Sequence, residues 1–377
     1  MHKKDYLLLA NYLFCDRPLL MRNLYKDYLP SKDYLKNINC YFDGYKISKK
    51  LRQEAVTKFK DFNIDSYKEK LKALDINVLY LDSEEYPDLL RQIYDPPIVL
   101  FYKGDIGLLK KDMFAVVGAR EISDYGRLVT KKLVSELCGY FVIVSGMARG
   151  IDTVAHKEVL GCGGKTVAVV GTGLDRVYPS ENNDMYKEIV ESGLVISEYP
   201  LGSEPLAYHF PQRNRIISGL SKGVLVCEAG DKSGAVITAK QALEQNRDVF
   251  AVPGSIFSKQ SIGTNDLIQE GAKLVASVDD IIKEFNFLMK VNLKKVATNN
   301  PNYSFLDDKL VDKNGEIVDL SEEGYKILKG LSVGVTHLDD LVMDIEIELE
   351  KILAELMIFE MKGLVMQLPG QFFRREF

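Results

Sequence analysis

The chain has 377 residues, enough for two or three domains, and its 46% hydrophobic and 27% charged residues are typical of a folded globular protein. Its five cysteines are scattered, which argues against a disulfide framework or a zinc site, and no apolar run is long enough to cross a bilayer or to act as a signal peptide. We therefore expect a cytoplasmic protein without a membrane partner. With a net charge of −5, it can bind an anionic polymer only through local clusters of basic side chains.

The first part of the chain has the spacing of short helices. Over about residues 1–70, apolar residues recur every three or four positions with lysine and aspartate between them. Two short strands are predicted next, at 76–81 and 98–102, with proline-containing loops between them. We assign residues 1–75 to a small helical domain.

The middle of the chain alternates apolar runs with helical stretches. Such runs are typical of parallel strands buried on both faces. The predicted strands are 114–117, 141–144, 166–170, 194–197, 223–227 and 249–252, and the predicted helices are 126–138, 183–191 and 235–246. This order predicts an α/β fold, an extended Rossmann-like doubly wound sheet, over residues 76–287.

The end of the chain predicts a linker and a third domain. Residues 288–315 are rich in Lys, Asn and Asp, as linkers are. Residues 316–377 contain two helical patterns, Ser321–Leu331 and Asp344–Lys362, followed by a short hairpin, which fits a C-terminal winged helix.

That last domain is acidic, with 13 Asp and Glu against 6 Lys and Arg. Its carboxylates would repel duplex DNA, and Arg374 and Arg375 could at most touch a DNA backbone. The apolar side chains of the second helical pattern are expected to fill the domain's own core; they are Ile345, Leu349, Ile352, Leu353 and Leu356. We predict a protein-contact or regulatory role for residues 316–377.

Glycine-rich turns follow several of the predicted strands. They are Gly118-Ala119-Arg120 with Ser123 close behind, Gly146–Arg149, Gly171-Thr172-Gly173, and Ser233-Gly234 at the start of the helix that carries Lys240. Glycine lets backbone amides approach an anion, and the helix behind each turn points its positive end at the same place. Because the carboxyl ends of parallel strands gather at one edge, these turns predict a phosphate-binding edge. The alternative is that the glycines only allow tight turns.

Other ligands and chemistries are less well supported. The first turn is not GxGxxG, the second strand ends in Ser145-Gly146 rather than an acidic ribose ligand, and GxxxxGK[ST] is absent. The four histidines lack carboxylates or cysteines at metal-ligand spacing, and no GxSxG elbow is present. We therefore predict no cofactor, no metal and no enzymatic activity.

A dense cluster lies at residues 208–218. An aromatic ring beside two arginines suits a single strand of nucleic acid, because Phe210 can stack on a base while Arg213, Asn214 and Arg215 hold the backbone. On a helix the two arginines diverge by about 200°, so that one can face the ligand while the other fastens the segment to the sheet. The alternative is that Phe210 packs in the core.

These motifs occur in one order. They are Val116–Arg120, Ser145–Asp152 with Ala155-His156, Thr172–Asp175 with Tyr178-Pro179, Ser197–Pro200, Phe210–Ile217, Glu228-Ala229 with Ser233-Gly234 and Thr238-Ala239, Ala251–Gly254, and Gly263–Asn265 with Gly271-Ala272. Over about residues 76–285 the series closely resembles the bacterial DNA-processing protein A (Smf) family.

The resemblance implies an extended Rossmann domain that binds and protects single-stranded DNA, dimerises, and helps to load the RecA recombinase during natural transformation. It also implies an N-terminal domain of sterile-alpha-motif or helix-hairpin-helix type. By motif position, the DNA pocket would use Arg120 and its turn, Phe210 and the 213–215 segment. Arg149 and Lys240 are added from the physical argument. Ser180 departs from relatives that carry a basic residue there, which weakens part of the expected phosphate track.

Two other functions remain open. A related Rossmann group contains nucleotide-binding sensors and nucleoside-monophosphate phosphoribohydrolases, but their PGGxGTxxE stretch is not matched at residues 231–238, where the following glutamate is missing. A third possibility is a protein-interaction scaffold whose acidic winged helix is the main working surface.

Overall fold

The computed structural model describes residues 2–32, 34, 36–231, 233–285, 303–306, 309–312, 320–331, 335–345, 347–368 and 371–375. The contacts divide the chain into two units, Met1–Ala276 and Ser277–Phe377. The domain boundaries expected at 75/76 and 287/288 stay predictions. Of the expected linker, the described part contains a two-stranded hairpin of 303–306 and 309–312. Within the described ranges no helix combines the length and the apolar character that crossing a bilayer requires.

The first unit is built on a sheet of nine strands. These are β1 (Asn77–Tyr80), β2 (Val99–Gly104), β3 (Met113–Val117), β4 (Val142–Ser145), β5 (Thr166–Val169), β6 (Leu194–Ser197), β7 (Gly223–Val226), β8 (Asp248–Ala251) and β9 (Lys273–Leu274). Their order across the sheet is β1-β2-β6-β5-β4-β3-β7-β8-β9. Strands β3 to β9 run parallel to one another, whereas β2 is antiparallel to both β1 and β6.

The apolar runs predicted eight of these strands to within two residues, and the predicted doubly wound α/β sheet is confirmed. The ninth, β9, was not predicted, because two residues pairing at the edge of a sheet leave no periodic pattern. The helices of this unit are α1 (Lys3–Phe14), α2 (Pro18–Lys26), α3 (Lys49–Lys60), α4 (Ile64–Ala73), α5 (Asp88–Arg91), α6 (Asp124–Leu137), α7 (Ile151–Gly161), α8 (Asn183–Ser192), α9 (His209–Leu220), α10 (Gly234–Glu244) and α11 (Ile262–Gln269).

Helices cover both faces of the sheet. Neighbouring residues of a strand point to opposite faces, so Val167 and Val169 of β5 join the core beneath α9 and α10, while Ala168 joins the core beneath α8. Because both faces are covered, the strands can be apolar throughout, and β3, β4, β5, β6 and β7 are buried along their whole length.

The N-terminal helices, which were predicted, share a hydrophobic core with one face of the sheet. Tyr6, Leu9 and Phe14 of α1 are buried in the same cluster as Phe101 and Val195 of the sheet. Two hydrogen bonds fix the contact near the carboxyl edge of the sheet. Asn11 donates its amide to the Glu198 carbonyl oxygen (2.9 Å), and the Tyr67 hydroxyl accepts from the Leu201 backbone amide (3.0 Å).

The second unit contains a winged helix. After α12 (Asp279–Phe285) and the hairpin of β10 (Tyr303–Leu306) and β11 (Lys309–Asp312), the chain forms α13 (Glu322–Gly330), β12 (Val335–His337), α14 (Leu338–Asp344), α15 (Leu349–Met361), β13 (Val365–Leu368) and β14 (Phe372–Arg375). The last three strands form a sheet of order β12-β14-β13. The predicted winged-helix fold is confirmed.

Two details of that prediction are wrong. The helix expected over Asp344–Lys362 begins only at Leu349; Ile345 and Ile347, which alternate with acids in the sequence, precede it and pack against the core. Leu349 and Leu353, expected in the core, are 46% and 43% exposed. Ile352 and Leu356 are buried as predicted, so α15 has a core face and an open apolar face.

Candidate functional site

The predicted glycine-rich turns lie together at the carboxyl edge of the sheet. The chain builds outward from β3 to β6 on one side and then continues on the other side with β7, so β3 and β7 border the point where the strand order reverses. A cleft of about 760 Å³ opens there, where ligands of doubly wound sheets bind. Five predicted site residues line it, namely Gly118, Arg120, Phe210, Arg213 and Asn214. The other five, Ser123, Gly146, Arg149, Arg215 and Lys240, are not part of its lining.

The first turn, Gly118-Ala119-Arg120, packs between the end of β7 and the start of α7. The Ala119 backbone amide donates to the Glu228 carbonyl oxygen (2.7 Å), and the Ala119 carbonyl oxygen accepts from the Ile151 amide (3.1 Å). A Cβ atom on Gly118 would overlap the Ile151 side chain and come within 2.9 Å of the Glu228 carbonyl oxygen. Gly118 therefore permits close packing of the turn, which holds the following Arg120 at the surface.

The second turn already holds an anion that belongs to the protein. The buried carboxylate of Asp152, in the first turn of α7, accepts hydrogen bonds from the backbone amides of Gly146 (3.1 Å) and Ala148 (3.3 Å). Burial raises the pKa of Asp152, and the nearby Arg213 opposes that rise. The amides that were predicted to receive a phosphate are thus occupied by a side chain.

A second internal carboxylate occupies the start of α6. Glu228 accepts hydrogen bonds from the Ser123 backbone amide (2.9 Å) and from the Ser123 hydroxyl (2.5 Å). The same hydroxyl accepts from the Gly126 amide (3.0 Å) and caps the helix. Ser123 therefore joins α6 to the end of β7.

Arg213 fastens α9 to the sheet. Its guanidinium is buried and donates to the carbonyl oxygens of Gly146 (2.6 Å) and Val169, at the ends of β4 and β5. A Cβ atom on Gly146 would overlap this guanidinium, which explains the glycine. Burial lowers the pKa of Arg213 to about 10, so the side chain remains charged at neutral pH.

Arg215, two residues further on, points elsewhere, as its helical spacing predicts. It forms a two-pronged ion pair with the buried Glu198 (3.0 and 2.6 Å) and a third hydrogen bond to Asp95 (2.9 Å). The two carboxylates raise the pKa of the Arg215 guanidinium. Fastening, which was expected of one of these two arginines, is thus the function that the contacts give to both.

The remaining predicted residues lie at the margins. Asn214 lines the cleft and donates its amide to the Gly234 carbonyl oxygen (3.4 Å) at the start of α10. Arg149 is exposed and forms a salt bridge with Glu181, donating from Nε (3.0 Å) and from a terminal nitrogen (2.5 Å). Lys240 is exposed on α10. A DNA contact by these three side chains stays a prediction.

Arg120 and Phe210 form an exposed pair at the rim of the cleft. The guanidinium carbon of Arg120 lies 5.3 Å from the centre of the Phe210 ring, and the centre of the Tyr178 ring lies 5.5 Å from it. Phe210 is half-buried, and Gly171 lies beneath it, where a Cβ atom would come within 3.3 Å of the ring. Arg120 is exposed and, among the residues that the structure describes, has no carboxylate within salt-bridge distance.

Comparison with known proteins identifies the fold and the motifs together. Residues 77–286 match the family described as DNA recombination-mediator protein A, and residues 313–371 match the DprA winged helix domain. The chain belongs to the DNA recombination-mediator protein A family. DNA processing protein DprA of Streptococcus pneumoniae is 52% identical over 202 residues, which are 54% of this chain and 72% of that protein. Protein Smf of Synechocystis sp. is 37% identical over 313 residues, 78% of this chain and 79% of that protein.

Two solved structures of the family are similar to this one. The X-ray structure of DprA from Streptococcus pneumoniae has a TM-score of 0.62 at 39% identity and covers 75% of this chain and 95% of its own. A structure of DNA processing protein A from Helicobacter pylori, described for its single-stranded DNA binding mode, has a TM-score of 0.51 at 31% identity. It covers 56% of this chain and 96% of its own. The resemblance to the DNA-processing protein A (Smf) family is thereby confirmed.

Two side chains at the rim were not predicted from the sequence. Tyr178 is exposed beside Phe210, and its signal was the Tyr-Pro pair after the third glycine turn. Lys259 is exposed and lines the cleft from the segment after β8, where the sequence suggested only loop residues. A lone lysine in a loop carries no periodic signal, so only the fold brings it to the site.

The charges around the cleft are mixed. Among the described lining residues, Arg120, Arg213 and Lys259 are basic. The acidic lining residues are Glu121, Asp152 and Asp231. Arg213 and Asp152 are buried near each other, so the exposed cations among the described lining residues are Arg120 and Lys259. In the described ranges, no three His, Cys, Asp or Glu side chains are grouped so as to hold a metal ion.

Proposed function

We propose that this protein binds single-stranded DNA at the cleft between β3 and β7, protects the strand, and helps to load RecA recombinase onto it during DNA uptake. It acts in the cytoplasm as a homodimer and without chemistry of its own. Family membership supports this function, and so does the single-stranded DNA binding of the Helicobacter pylori relative. One observation carries it: the cation of Arg120 beside the half-exposed ring of Phe210.

The geometry suits a single strand rather than a duplex. In a duplex the faces of the bases are covered by their neighbours, whereas an unpaired base can stack on the Phe210 or Tyr178 ring. Each such stack contributes about 1–3 kcal/mol and is tolerant of sequence, because every base has a flat face. The planar guanidinium of Arg120 can hold a phosphate with two hydrogen bonds beside the stacked base.

Substitution of Arg120 tests this assignment. Arg120→Ala should weaken binding of a labelled oligonucleotide of dT by about tenfold, since a hydrogen bond to a charged group contributes about 1.5–3 kcal/mol. Arg120→Lys should restore only part of the affinity, because the planar fork is lost. Fluorescence anisotropy at fixed salt measures both.

A matched control exists elsewhere in the chain. Arg52 is also exposed and lies over an aromatic ring, 4.6 Å from the centre of Phe42, but it belongs to the N-terminal helices. Arg52→Ala should bind DNA like the wild type. Wild-type affinity in a folded Arg120→Ala protein would refute the assignment. A wild-type protein that binds labelled AMP but not the labelled oligonucleotide would instead support the nucleotide-sensor function.

The winged helix fits a protein partner better than DNA. On α15, Leu349, Leu353, Met357 and Met361 are exposed at intervals of four residues, with the exposed acids Glu350 and Glu360 between them. Helical geometry places these six side chains on one side of α15.

The polar contacts of α15 lie on its other side. Lys351 binds Glu323 (3.0 Å) and Glu355 accepts from the Ser321 hydroxyl (2.6 Å), so both contacts reach towards α13. The open side of α15 therefore presents apolar groups and negative charge. We propose that residues 316–377 contact a protein, while DNA affinity resides in residues 114–285.

A further inference from the structure

A loop with an exposed aromatic tip follows β8. At its tip the side chains of Ile256 and Phe257 are 82% and 92% exposed. The backbone of the loop is nevertheless fixed by hydrogen bonds. Gly254 exchanges two hydrogen bonds with the Asn265 side chain, both 3.1 Å, and the Phe257 amide donates to the Ser255 hydroxyl (3.2 Å).

The backbone hydrogen bonds of this loop close a turn at its tip. The Ser258 amide donates to the Ser255 carbonyl oxygen (2.9 Å), and the Ser261 amide donates to the Ser258 carbonyl oxygen (3.1 Å). A ring that is held in water by an ordered turn loses little conformational freedom when a ligand covers it, so its apolar surface is available for binding.

This loop, residues 255–258, forms a ridge beside the cleft. Lys259 and Gln260 line the cleft, and the Cα atom of Phe257 is at most about 7 Å from that of Lys259. Ser255 and Ser258 of the ridge also line a second hollow of about 520 Å³, together with the exposed ring of Tyr125. A chain-like ligand that extends from the cleft past Lys259 can therefore reach the Phe257 ring.

The chemistry of the ridge favours nucleic acid over a protein partner. Its apolar tip consists of two side chains flanked by the hydroxyls of Ser255 and Ser258 and followed by the cation of Lys259. Protein interfaces need a larger continuous apolar patch. In a nucleic acid the base can stack on the ring, the phosphate can bind the lysine, and the sugar can hydrogen-bond to the hydroxyls.

We propose that Phe257 is a second base-stacking platform and Lys259 its phosphate contact. A single strand that stacks on Phe210 then crosses the cleft and passes over the 255–258 loop. This inference rests on the proposed function, and it adds a second contact point and a minimum length of strand. The binding of oligonucleotides too short to reach the ridge should not depend on Phe257.

The absence of tryptophan from the sequence gives a direct test. In the full-length Phe257→Trp protein the only indole stands on the ridge, and stacking on a base should quench its fluorescence. An oligonucleotide of about 12 dT should quench the fluorescence of the Phe257→Trp protein. An oligonucleotide of about 4 dT, which is within the size of a single binding site, should leave that fluorescence unchanged but should quench the fluorescence of a Phe210→Trp protein. The control is Tyr94→Trp, at a ring that is 77% exposed and contacts Arg22; its emission should not change.

Affinity provides the second measurement. Phe257→Ala should weaken binding of the long oligonucleotide about fivefold or more and leave the short one unaffected, because one stacked base contributes about this factor. Phe257→Leu should not restore it, and Ile256→Ala should behave as wild type. Lys259→Gln should also weaken binding of the long oligonucleotide and reduce its dependence on salt.

The outcomes separate this inference from the proposed function. If the wild type binds both oligonucleotides and Phe257→Ala binds the long one equally well, the second platform is refuted and the first stands. If the wild type binds neither, the proposed function fails and this inference fails with it. If Phe257→Ala changes the oligomeric state in light scattering and loses both oligonucleotides alike, the ring belongs to a contact between copies and the inference is overturned.

Discussion

The buried ion pair of Arg215 gives a sharp stability prediction. Arg215→Ala removes a guanidinium that makes three hydrogen bonds to two carboxylates, at 2.9, 3.0 and 2.6 Å. The side chains of Arg215 and Glu198 are each only 6% exposed, so water cannot replace the lost partner. A buried carboxylate left without its cation costs about 3–5 kcal/mol of folding free energy.

In a unit of this size, that loss should lower the melting temperature by about 6–20 °C. The free energy of unfolding is measured by urea denaturation, followed by far-ultraviolet circular dichroism. The control is Arg149→Ala, because its salt bridge to Glu181 is exposed on both sides and should contribute little to stability. The double variant Arg215→Met, Glu198→Leu should recover most of the lost stability, since it leaves no unpaired charge between those two positions.

Two results would refute this reasoning. The first is a loss below about 1 kcal/mol in Arg215→Ala, which would mean that water reaches Glu198. The second is a double variant no more stable than the single one, which would mean that the remaining Asp95 contact or the shape of the site dominates.

Three further predictions concern the site and the second unit. Gly146→Ala should destabilise the protein by about 1–3 kcal/mol, because its Cβ overlaps the buried Arg213 guanidinium, whereas Gly161→Ala meets no atom within 4 Å and should be harmless in the same melting experiment. Burial lowers the pKa of His156 to about 3, so its ring stays neutral in the folded protein. The unfolded chain takes up that proton near pH 6.5, and stability should fall as pH drops from about 6.5 towards 3, by up to about 1.4 kcal/mol per pH unit; an NMR titration midpoint near 6.5 for His156 would contradict this. Deletion of everything after Phe287 should leave single-strand affinity unchanged at fixed salt, and a tenfold loss, about 1.4 kcal/mol, in a truncated protein that still dimerises would show that the acidic domain binds DNA.

Much of the fold was predictable because its signals are local. The apolar runs of β3 to β7 and the glycine turns behind three of them follow from burial on both faces and from tight strand-to-helix connections. The break between α14 and α15 was missed, although Ile345 and Ile347 alternate with acids at a period of two. When helical periodicity is judged over a long stretch of sequence, four residues that deviate from it do not visibly change the pattern.

The site was less predictable because its partners are distant in sequence. The carboxylate of Glu228 binds Ser123 across 105 residues, and Arg215 binds Asp95 across 120. The spacing of Arg213 and Arg215 predicted that they diverge, but their partners depend on which strands end beside α9. Lys259 reaches the cleft only because β8 lies next to β7.

The two internal carboxylates favour the proposed polymer ligand over a small nucleotide. In nucleotide-binding folds the amides at the strand-to-helix turns hold the ligand's phosphate inside the crevice. Here Asp152 occupies the amides of the second turn, and Glu228 binds the start of α6. At the second turn a ligand phosphate would have to displace the buried carboxylate of Asp152, whose charge also favours the charged form of Arg213, at a cost of several kcal/mol. The exposed cations and rings of the cleft lie at its rim, in water, where they can hold a strand that passes along it.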